Sequence, residues 1–185
     1  MTRYFAFLRA INVGGHVVKM DRLRQIFESL GFSGVETFIA SGNVIFESGS
    51  KNVKTLEKKI ENGLREALGY EVVTFIRTDA ELVEIANYQP FSQSDLAAAV
   101  SLNIVFLGQA PDLKAKQALV ALRTEVDELH AHGREIYWLG RTKQSESTIS
   151  NAVFNKTLGQ PATVRGANTI RKMAAKYIED AAEQK

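Results

Sequence analysis

The spacing of apolar residues along this chain predicts short strands that alternate with amphipathic helices. The first apolar run, residues 3–8, is aromatic and aliphatic and has the length of a strand. Apolar residues then recur three and four positions apart over residues 20–30, which predicts a helix that Gly31 ends. The chain therefore opens with a strand, a loop and a helix.

A hairpin is predicted after the first helix. Residues 35–40 and 43–47 have the pattern of two strands, and Ser41-Gly42-Asn43 joins them. Gly and Asn tolerate positive φ better than other residues do, so the turn is predicted at these three positions.

The rest of the first half repeats the alternation of helix and strand. Asn52 is the predicted cap of a second helix, which Gly69 ends. A strand over residues 71–77 follows, and the segment from Thr78 to Glu81 is a capping box that opens a third helix. The predicted order up to this point is β-α-β-β-α-β-α.

From about residue 101 the same order of elements is predicted again. Two of its strands flank His132-Gly133-Arg134, a second hairpin turn, and Gly159 ends the helix that follows. Asn168 is the predicted cap of the last helix. The predicted spans are 102–107, 111–126, 128–131, 135–139, 149–158, 163–165 and 168–181.

This pattern predicts an α+β fold made of two ferredoxin-like units of the βαββαβ type. The first unit is predicted over residues 1–92 and the second over residues 99–185, with the joint between residues 89 and 99. No repeat of individual residues relates the two halves, so duplication of one unit stays a hypothesis.

Composition narrows the class of protein. Cysteine is absent, which excludes disulfides, thiolate catalysis and cysteine-ligated metals. No run of 18 apolar residues occurs, and the N-terminus has the pattern of a strand rather than of a signal peptide. We therefore expect a cytoplasmic protein that does not contact a membrane.

Several short motifs resemble one bacterial family known only as domain of unknown function 1697. The resemblance implies a two-part α+β fold with ferredoxin-like features, and it brings no established reaction. The chain departs from the family pattern at Ala10, where Gly is usual, and at Gly166-Ala167, where Asn-Trp is usual. The matching segments are 8–15 (LRAINVGG), 37–46 (TFIASGNVIF), 90–91 (PF), 106–107 (FL), 147–151 (STISN), 161–165 (PATVR) and 168–170 (NTI).

A first candidate site follows from the topology of the first unit. The first two strands of a βαββαβ unit run parallel, so the loop after the first strand and the hairpin tip lie at the same end of the sheet. Paired glycines expose backbone N–H groups, which together with a guanidinium, amides and a hydroxyl suit a phosphate or a carboxylate. The alternative is that these side chains only satisfy loop backbone. The predicted ligand-binding residues are Arg9, Asn12, Gly14, Gly15, Ser41, Gly42 and Asn43.

A second candidate anion site follows from the charge of the second half. Residues 1–92 carry 11 basic and 11 acidic side chains, whereas residues 134–176 carry eight basic and two acidic ones. The third and fourth strands of a unit end at the same side, where two helices are predicted to begin, so Arg141 is expected there with further cations. The alternative is that Arg165 only pairs with a carboxylate such as Glu146. The predicted site residues are Lys143, Ser147, Arg165, Asn168 and Thr169.

No recognisable catalytic constellation is present. Ser41 and Ser147 have no visible base partner, and His130 and His132 share a strand face without a third metal ligand nearby. We therefore do not expect an enzyme, a metal or a cofactor. The predicted partner is a small anionic ligand, of which a nucleotide is one example.

Two other classes of function stay open from the sequence. One is a weak nucleic-acid-binding module that uses the basic second half, with strand aromatics that could stack on bases. The other is a protein-interaction module. The oligomeric state is not indicated by any feature of the chain.

Overall fold

A computed structural model describes residues 1–179, apart from the side chains of Ala40, Ser41 and Glu179. The described chain forms two compact units, one of residues 1–83 together with 177–179, and one of residues 84–176. The elements up to the boundary are β1 (Thr2–Leu8), α1 (Met20–Ser29), β2 (Ser33–Phe38), β3 (Ala40–Ser48), α2 (Val53–Leu68), β4 (Thr74–Thr78) and α3 (Asp79–Asn87).

The second unit repeats the order of the first. A short 3₁₀ turn spans Gln144–Glu146, and a π-helical segment spans Ala175–Glu179. The remaining elements are α4 (Gln93–Ala98), β5 (Ser101–Leu107), α5 (Leu113–Ala121), β6 (Asp127–His132), β7 (Glu135–Gly140), α6 (Asn151–Leu158), β8 (Ala162–Gly166) and α7 (Ala167–Ala174).

Each unit contains a four-stranded antiparallel sheet. The strand orders are β2-β3-β1-β4 and β6-β7-β5-β8, so the central strands of each sheet are the first and third of its unit. These orders are those of the split βαβ arrangement. The predicted α+β fold with two similar units is confirmed.

Local sequence explains the helices that cover the first sheet. Leu56, Ile60 and Leu64 recur at four-residue spacing on α2 and are buried. The Oδ1 atom of Asn52 accepts a hydrogen bond from the N–H of Thr55 at 3.0 Å, which caps the helix. Gly69 ends it in the left-handed conformation, with φ of +83°.

The first sheet buries side chains on both faces. Tyr4, Ala6 and Leu8 of β1 point to the helices, whereas Phe5 and Phe7 lie on the other face, and all five are buried. Tyr177 covers part of that second face. Its ring lies 6.0 Å from that of Phe5 and 5.8 Å from that of Phe38, measured between centroids. Its hydroxyl donates a hydrogen bond of 2.7 Å to the Glu36 carboxylate.

Two carboxylates of α2 accept hydrogen bonds from backbone N–H groups on the outer edge of β4. Glu61 accepts the N–H of Thr74 at 2.9 Å, and Glu57 accepts the N–H of Ile76 at 3.2 Å. An unpaired edge strand invites pairing with another chain, and inward-pointing charges prevent it. Burial raises the pKa of Glu61, and the Thr74 N–H opposes that effect.

The core of the second unit is built around Trp138, which is buried on the helix face of its sheet. Its ring meets that of Phe154 edge to face, with centroids 5.7 Å apart. Val105, Leu129 and Ile136 pack in the same cluster. No helix within residues 1–179 is long and apolar enough to cross a membrane.

The first hairpin turns earlier than predicted. Phe38 pairs with Ala40, so Ile39 forms the turn, and residues 41–43 make a bulge in β3. Ile39 has a φ of +62° and Gly42 a φ of +110°. The predicted turn at Ser41-Gly42-Asn43 was wrong because the flexible residues there serve the bulge rather than the turn.

Two helix predictions in the second half need correction. The N-cap of α7 is Gly166, so Asn168 lies inside the first turn and does not cap the helix. The helix predicted over residues 111–126 begins after Asp112, whose carboxylate accepts the Ala115 N–H at 2.7 Å, and ends at Ala121. Helix α4 was not predicted.

The observed boundary between the units differs from the predicted joint. It falls between Val83 and Glu84, inside α3, and the chain rejoins the first unit at Tyr177. Amphipathic spacing predicts an element but does not indicate which core its two ends join.

Candidate functional site

The loop after β1 is held by its own polar side chains. The Oδ1 atom of Asn12 accepts the N–H of Val18 at 2.8 Å, which ties the two ends of the loop together. Tyr70 donates a hydrogen bond to the Ile11 carbonyl at 2.8 Å, and its ring stacks on His16 at 4.2 Å. Burial raises the pKa of the Tyr70 phenol. Asn12 therefore has a structural task in this loop.

Gly14 and Gly15 form the exposed tip of the same loop. Their φ values are +65° and +84°, and the Val13 carbonyl accepts the His16 N–H across them at 3.2 Å. Within residues 1–179 the N–H groups of the two glycines have no acceptor. Nothing lies within 4 Å of where a Cβ would stand at either glycine, so this backbone is open to an approaching ligand.

Arg9 lies at the start of the loop, half-buried. Its N–H donates to the Val73 carbonyl at 2.9 Å. Its guanidinium makes no hydrogen bond or ion pair with the part of the chain that the structure describes. Among the described residues, Arg9 therefore offers this end of the sheet a cation without a carboxylate partner, beside the unbonded amides of Gly14 and Gly15.

The hairpin tip lies at the same end of the sheet as this loop. Asn43 of β3 lies directly opposite Phe7 of β1, and Phe7 is two residues before Arg9. The Asn43 side chain is buried, with 3% exposed, and its Nδ2 donates to the Phe38 carbonyl at 3.1 Å. Asn43 therefore supports the hairpin, Gly42 belongs to the bulge, and the Ser41 side chain lies outside the described residues.

Backbone strain is concentrated at this end of the first sheet. Ala10 and Ile39 are the non-glycine residues with positive φ among those described, at +58° and +62°. They follow the C-terminal ends of the parallel strands β1 and β2. Such outliers cluster at functional sites, which directs attention to this end of the sheet.

The second predicted site is divided by the sheet. Strands β7 and β8 do end at the same side, since both are antiparallel to β5. Arg165, however, lies opposite Ile104, and its guanidinium donates to Thr163 Oγ1 and to the Val164 carbonyl, each at 2.9 Å. Burial lowers the pKa of Arg165 to about 10.

The other members of that predicted site have separate surroundings. Ser147 donates to the Asp127 carboxylate at 2.9 Å, and Lys143 is exposed, with its backbone N–H bonded to Glu146. Asn168 and Thr169 lie in the first turn of α7. The structure therefore does not gather Lys143, Ser147 and Arg165 around one point.

Arg141 is neutralised by two carboxylates. Its guanidinium bonds Asp95 at 2.9 Å and Glu128 at 2.6 Å. The Glu128 hydrogen bond raises the pKa of Arg141, whereas the Ser92 hydroxyl, with help from Arg141, lowers that of Asp95. The local excess of positive charge is smaller at the surface than the sequence indicates.

Two histidines of β6 make hydrogen bonds with Glu84 of α3 and with Tyr88, which directly follows that helix. His130 Nε2 lies 2.9 Å from the Tyr88 hydroxyl, and His132 Nε2 lies 3.0 Å from Glu84 Oε1. The Tyr88 ring stacks on His132 with centroids 3.9 Å apart. Among residues 1–179, no group of three or more histidine and carboxylate side chains is arranged to hold a metal ion.

Sequence reasoning missed the buried polar groups of the second sheet. Asp127 is 1% exposed and accepts the Trp138 indole N–H at 2.7 Å. Asn103 is 6% exposed, and its Nδ2 has no partner among the described residues; the same holds for Ser101 Oγ. Their signal was polar residues at core positions of strands, where the alternation requires apolar ones.

The strand aromatics do not form an open stacking platform. Tyr4, Phe5, Phe7 and Phe46 are each at most 2% exposed, and Phe38 is partly covered by Tyr177. Base stacking needs an accessible ring face.

Comparisons with known proteins agree with this architecture. A family model described as "Protein of unknown function (DUF1697)" matches residues 1–137. A solved structure of a conserved bacterial protein from Streptococcus pneumoniae is similar, with a TM-score of 0.75 and 24% identity over 95% of this chain and 98% of that one. At that identity the likeness shows the fold alone. No curated protein matches the chain.

Proposed function

This chain belongs to the DUF1697 family of proteins of unknown function, and we propose that it binds a small anionic ligand at the end of its first sheet. The binding segment is the loop that leaves β1, from Arg9 to Gly15. The ligand carries a phosphate or a carboxylate group, as nucleotides do.

The observation that carries this proposal is the combination of an unpaired cation with unpaired backbone donors in one loop. Arg9 has no carboxylate partner, and the Gly14 and Gly15 amides have no acceptor, among residues 1–179. A guanidinium binds phosphate or carboxylate with two parallel hydrogen bonds, and exposed amides add further donors. The strained Ala10 beside Arg9 supports a functional role for the segment.

The contacts divide the predicted binding residues into those that face the ligand and those that hold the loops. Arg9, Gly14 and Gly15 face the ligand, whereas Asn12 and Asn43 hold the two loops in shape. Gly42 lies in the bulge of the hairpin, at the same end of the sheet as the loop.

The test is titration calorimetry of pyrophosphate, ATP and citrate into the full chain, compared with Arg9→Ala and Arg22→Ala. Arg22 is an exposed arginine of α1 and serves as the matched control. We expect Arg9→Ala to weaken binding by about tenfold or more, because charge-assisted hydrogen bonds are lost, and Arg22→Ala to leave it unchanged. The amide resonances of Gly14 and Gly15 should move as the ligand is added.

Equal affinities for Arg9→Ala and the unmodified chain, or no binding by any of the three compounds, would overturn the proposal. Binding confined to oligonucleotides, falling steeply with salt, would point to the nucleic-acid class instead.

A cytoplasmic location is part of the proposal, and the absence of cysteine supports it.

A further inference from the structure

Strand β2 forms one outer edge of the first sheet. It pairs with β3 on one side only, and all of its residues, 33–38, are exposed or partly buried. An outer strand directs every second pair of backbone N–H and C=O groups away from its sheet. Unless these groups are bonded within the chain, they offer a template on which another strand can pair.

The other three outer strands, β4, β6 and β8, are blocked by hydrogen bonds from their own unit. On each of them at least two outward backbone groups are bonded by a side chain or by the adjoining turn. The N–H groups so bonded are those of Thr74 (to Glu61), Ile76 (to Glu57), Thr78 (to Glu81) and Ala162 (to Asn155), and the carbonyls are those of Asp127 (from Thr124), Leu129 (from Arg123) and Val164 (from Arg165).

The register of the first sheet shows which groups of β2 point outward. The Ile76 N–H is bonded to Glu57 rather than to β1, so Ile76 and Ala6 form a non-hydrogen-bonded pair. Ala6 therefore exchanges hydrogen bonds with Val44, which makes the next pair along, Thr37 with Val44, non-hydrogen-bonded. The N–H and C=O of Thr37 consequently point away from β3.

These two groups of Thr37 have no hydrogen-bond partner within residues 1–179. The Thr37 hydroxyl, by contrast, accepts a hydrogen bond from Arg24 of α1 at 3.2 Å, which involves the side chain only. Ile39 directly follows the strand and is 59% exposed. Among the four outer strands, β2 is therefore the one whose outward backbone is left available, with an apolar side chain at its end.

We propose that this edge pairs with the same edge of a second copy of the chain, so that β2 joins the first sheets of two copies. In an antiparallel pair centred on Thr37, each Thr37 N–H donates to the Thr37 carbonyl of the other copy, and two-fold symmetry satisfies both groups in both copies. The same centre sets Glu36 opposite Phe38 of the second copy, whereas a centre at Glu36 would set two like charges opposite each other.

The paired edge is short, which limits the strength of the dimer. Strand β2 has six residues, and its pairing buries less surface than the roughly 1,200 Å² or more that stable interfaces bury. The exposed Ile39 adds some apolar area beside the strand. We therefore expect a reversible dimer with a dissociation constant of about 10–100 µM.

Sedimentation velocity of the full chain from about 5 to about 500 µM tests this proposal, and the unmodified chain should pass from monomer to dimer over that range. Thr37→Pro removes the outward N–H, which bonds nothing within residues 1–179, so this variant should fold and stay monomeric. Thr37→Val is the matched control. It loses the contact with Arg24 but keeps the N–H, and its dissociation constant should lie within about threefold of that of the unmodified chain.

A cross-link tests the interface without relying on the folding of a proline variant. The chain has no cysteine, so Thr37→Cys carries a single thiol. The Cα atoms of a directly opposed hydrogen-bonded pair are about 5.5 Å apart, a distance that a disulfide spans. Mild oxidation should join Thr37→Cys into covalent dimers, and Gln25→Cys, at an exposed position of α1, should give at least about tenfold less.

Three results would overturn the proposal. They are an unmodified chain that stays monomeric at about 500 µM, a folded Thr37→Pro variant that dimerises as the unmodified chain does, and equal cross-linking of Thr37→Cys and Gln25→Cys. The first of these would leave the edge to an extended segment of another protein. Arg9→Ala should dimerise as the unmodified chain does, so this proposal and the anion-binding proposal stand or fall separately.

Discussion

Asn103 and Gly166 face each other across the antiparallel pair of β5 and β8, and the buried Nδ2 of Asn103 has no hydrogen-bond partner among the described residues. Gly166 is also the N-cap of α7, where no side chain caps the helix. The missing side chain at residue 166 therefore leaves two needs unmet, a partner for the Asn103 amide and an acceptor for the first amides of α7.

Gly166→Asn should satisfy both needs. The Gly166 backbone has φ −63° and ψ 137°, which any residue adopts, and a Cβ there would meet only Thr169 Oγ1 at 3.9 Å. Asparagine is a preferred N-cap, and its oxygen can accept from Asn103. We expect the free energy of unfolding in urea to rise by about 1 kcal/mol over Gly166→Ala, which controls for the loss of glycine flexibility. Equal stability of the two variants would contradict this account.

Glycine at Ala10 should stabilise the first unit, because an L-residue in the left-handed region is strained by about 1–2 kcal/mol. Ala10 has a φ of +58°, and the greater freedom of glycine in the unfolded chain offsets part of the gain. The expected net gain for Ala10→Gly is about 0.5–1 kcal/mol in the free energy of unfolding. Val17→Gly, at an exposed position in the same loop without positive φ, should lower stability instead.

Ile39 gives a second test of the same strain. It is 59% exposed with a φ of +62°, and its β-branched side chain makes that conformation more strained than for Ala. Ile39→Asn should stabilise by about 1 kcal/mol, since Asn tolerates the left-handed region and little packing is lost. An Ile39→Asn protein less stable than the unmodified chain in thermal unfolding would show that the exposed isoleucine packs on something that offsets its strain.

How much the sequence predicts depends on whether local chemistry and local structure agree. Helix α2 was predicted from end to end because Asn52, the four-residue spacing and Gly69 all indicate the same helix. The second hairpin was predicted with its turn at His132-Gly133-Arg134, and the observed turn is the last two of these residues, because His132 pairs with Glu135 in the sheet. The first hairpin was predicted with its turn at the wrong residues, because a β-branched isoleucine, Ile39, occupies the turn position where sequence rules expect glycine or asparagine.

The candidate sites show a different limit. Strand direction correctly brings the ends of β7 and β8 to one side, but alternate residues of a strand point to opposite faces. Arg165 and Gly166 are neighbours in β8 and therefore lie on opposite faces of the sheet. One residue along the strand thus separates the Arg165 cation from Gly166, the N-cap of α7.

The buried Asp127 should be a main determinant of stability in the second unit. Its carboxylate accepts from the Trp138 indole at 2.7 Å, from Ser147 at 2.9 Å and from Thr124 at 3.2 Å. Asp127→Ala leaves these donors without their acceptor, so we expect a loss of about 3 kcal/mol or more in the free energy of unfolding. Trp138 is the only tryptophan, so its fluorescence follows the transition directly.

Glu125→Ala is the matched control for Asp127, because Glu125 is an exposed carboxylate two residues away. It should change stability by less than about 0.5 kcal/mol. A loss as large in Glu125→Ala as in Asp127→Ala would attribute the effect to net charge rather than to the buried hydrogen bonds.

Protonation of His130 should destabilise the second unit as the pH falls. Burial, then the neighbouring His132 and Arg123, lower the pKa of His130 below its ordinary value, so the folded state favours the neutral ring. Below about pH 6.5 the unfolded chain binds the proton more readily than the folded one, and the stability contributed by neutral His130 is lost as the pH falls toward its folded pKa. For one proton the slope of the free energy of unfolding is at most about 1.4 kcal/mol per pH unit.

The variant His130→Gln keeps a polar group near the Tyr88 hydroxyl but does not titrate. Urea unfolding between pH 5 and 8 should therefore show a shallower loss of stability on the acid side for His130→Gln than for the unmodified chain. A slope that His130→Gln does not alter would assign the acid sensitivity to other groups.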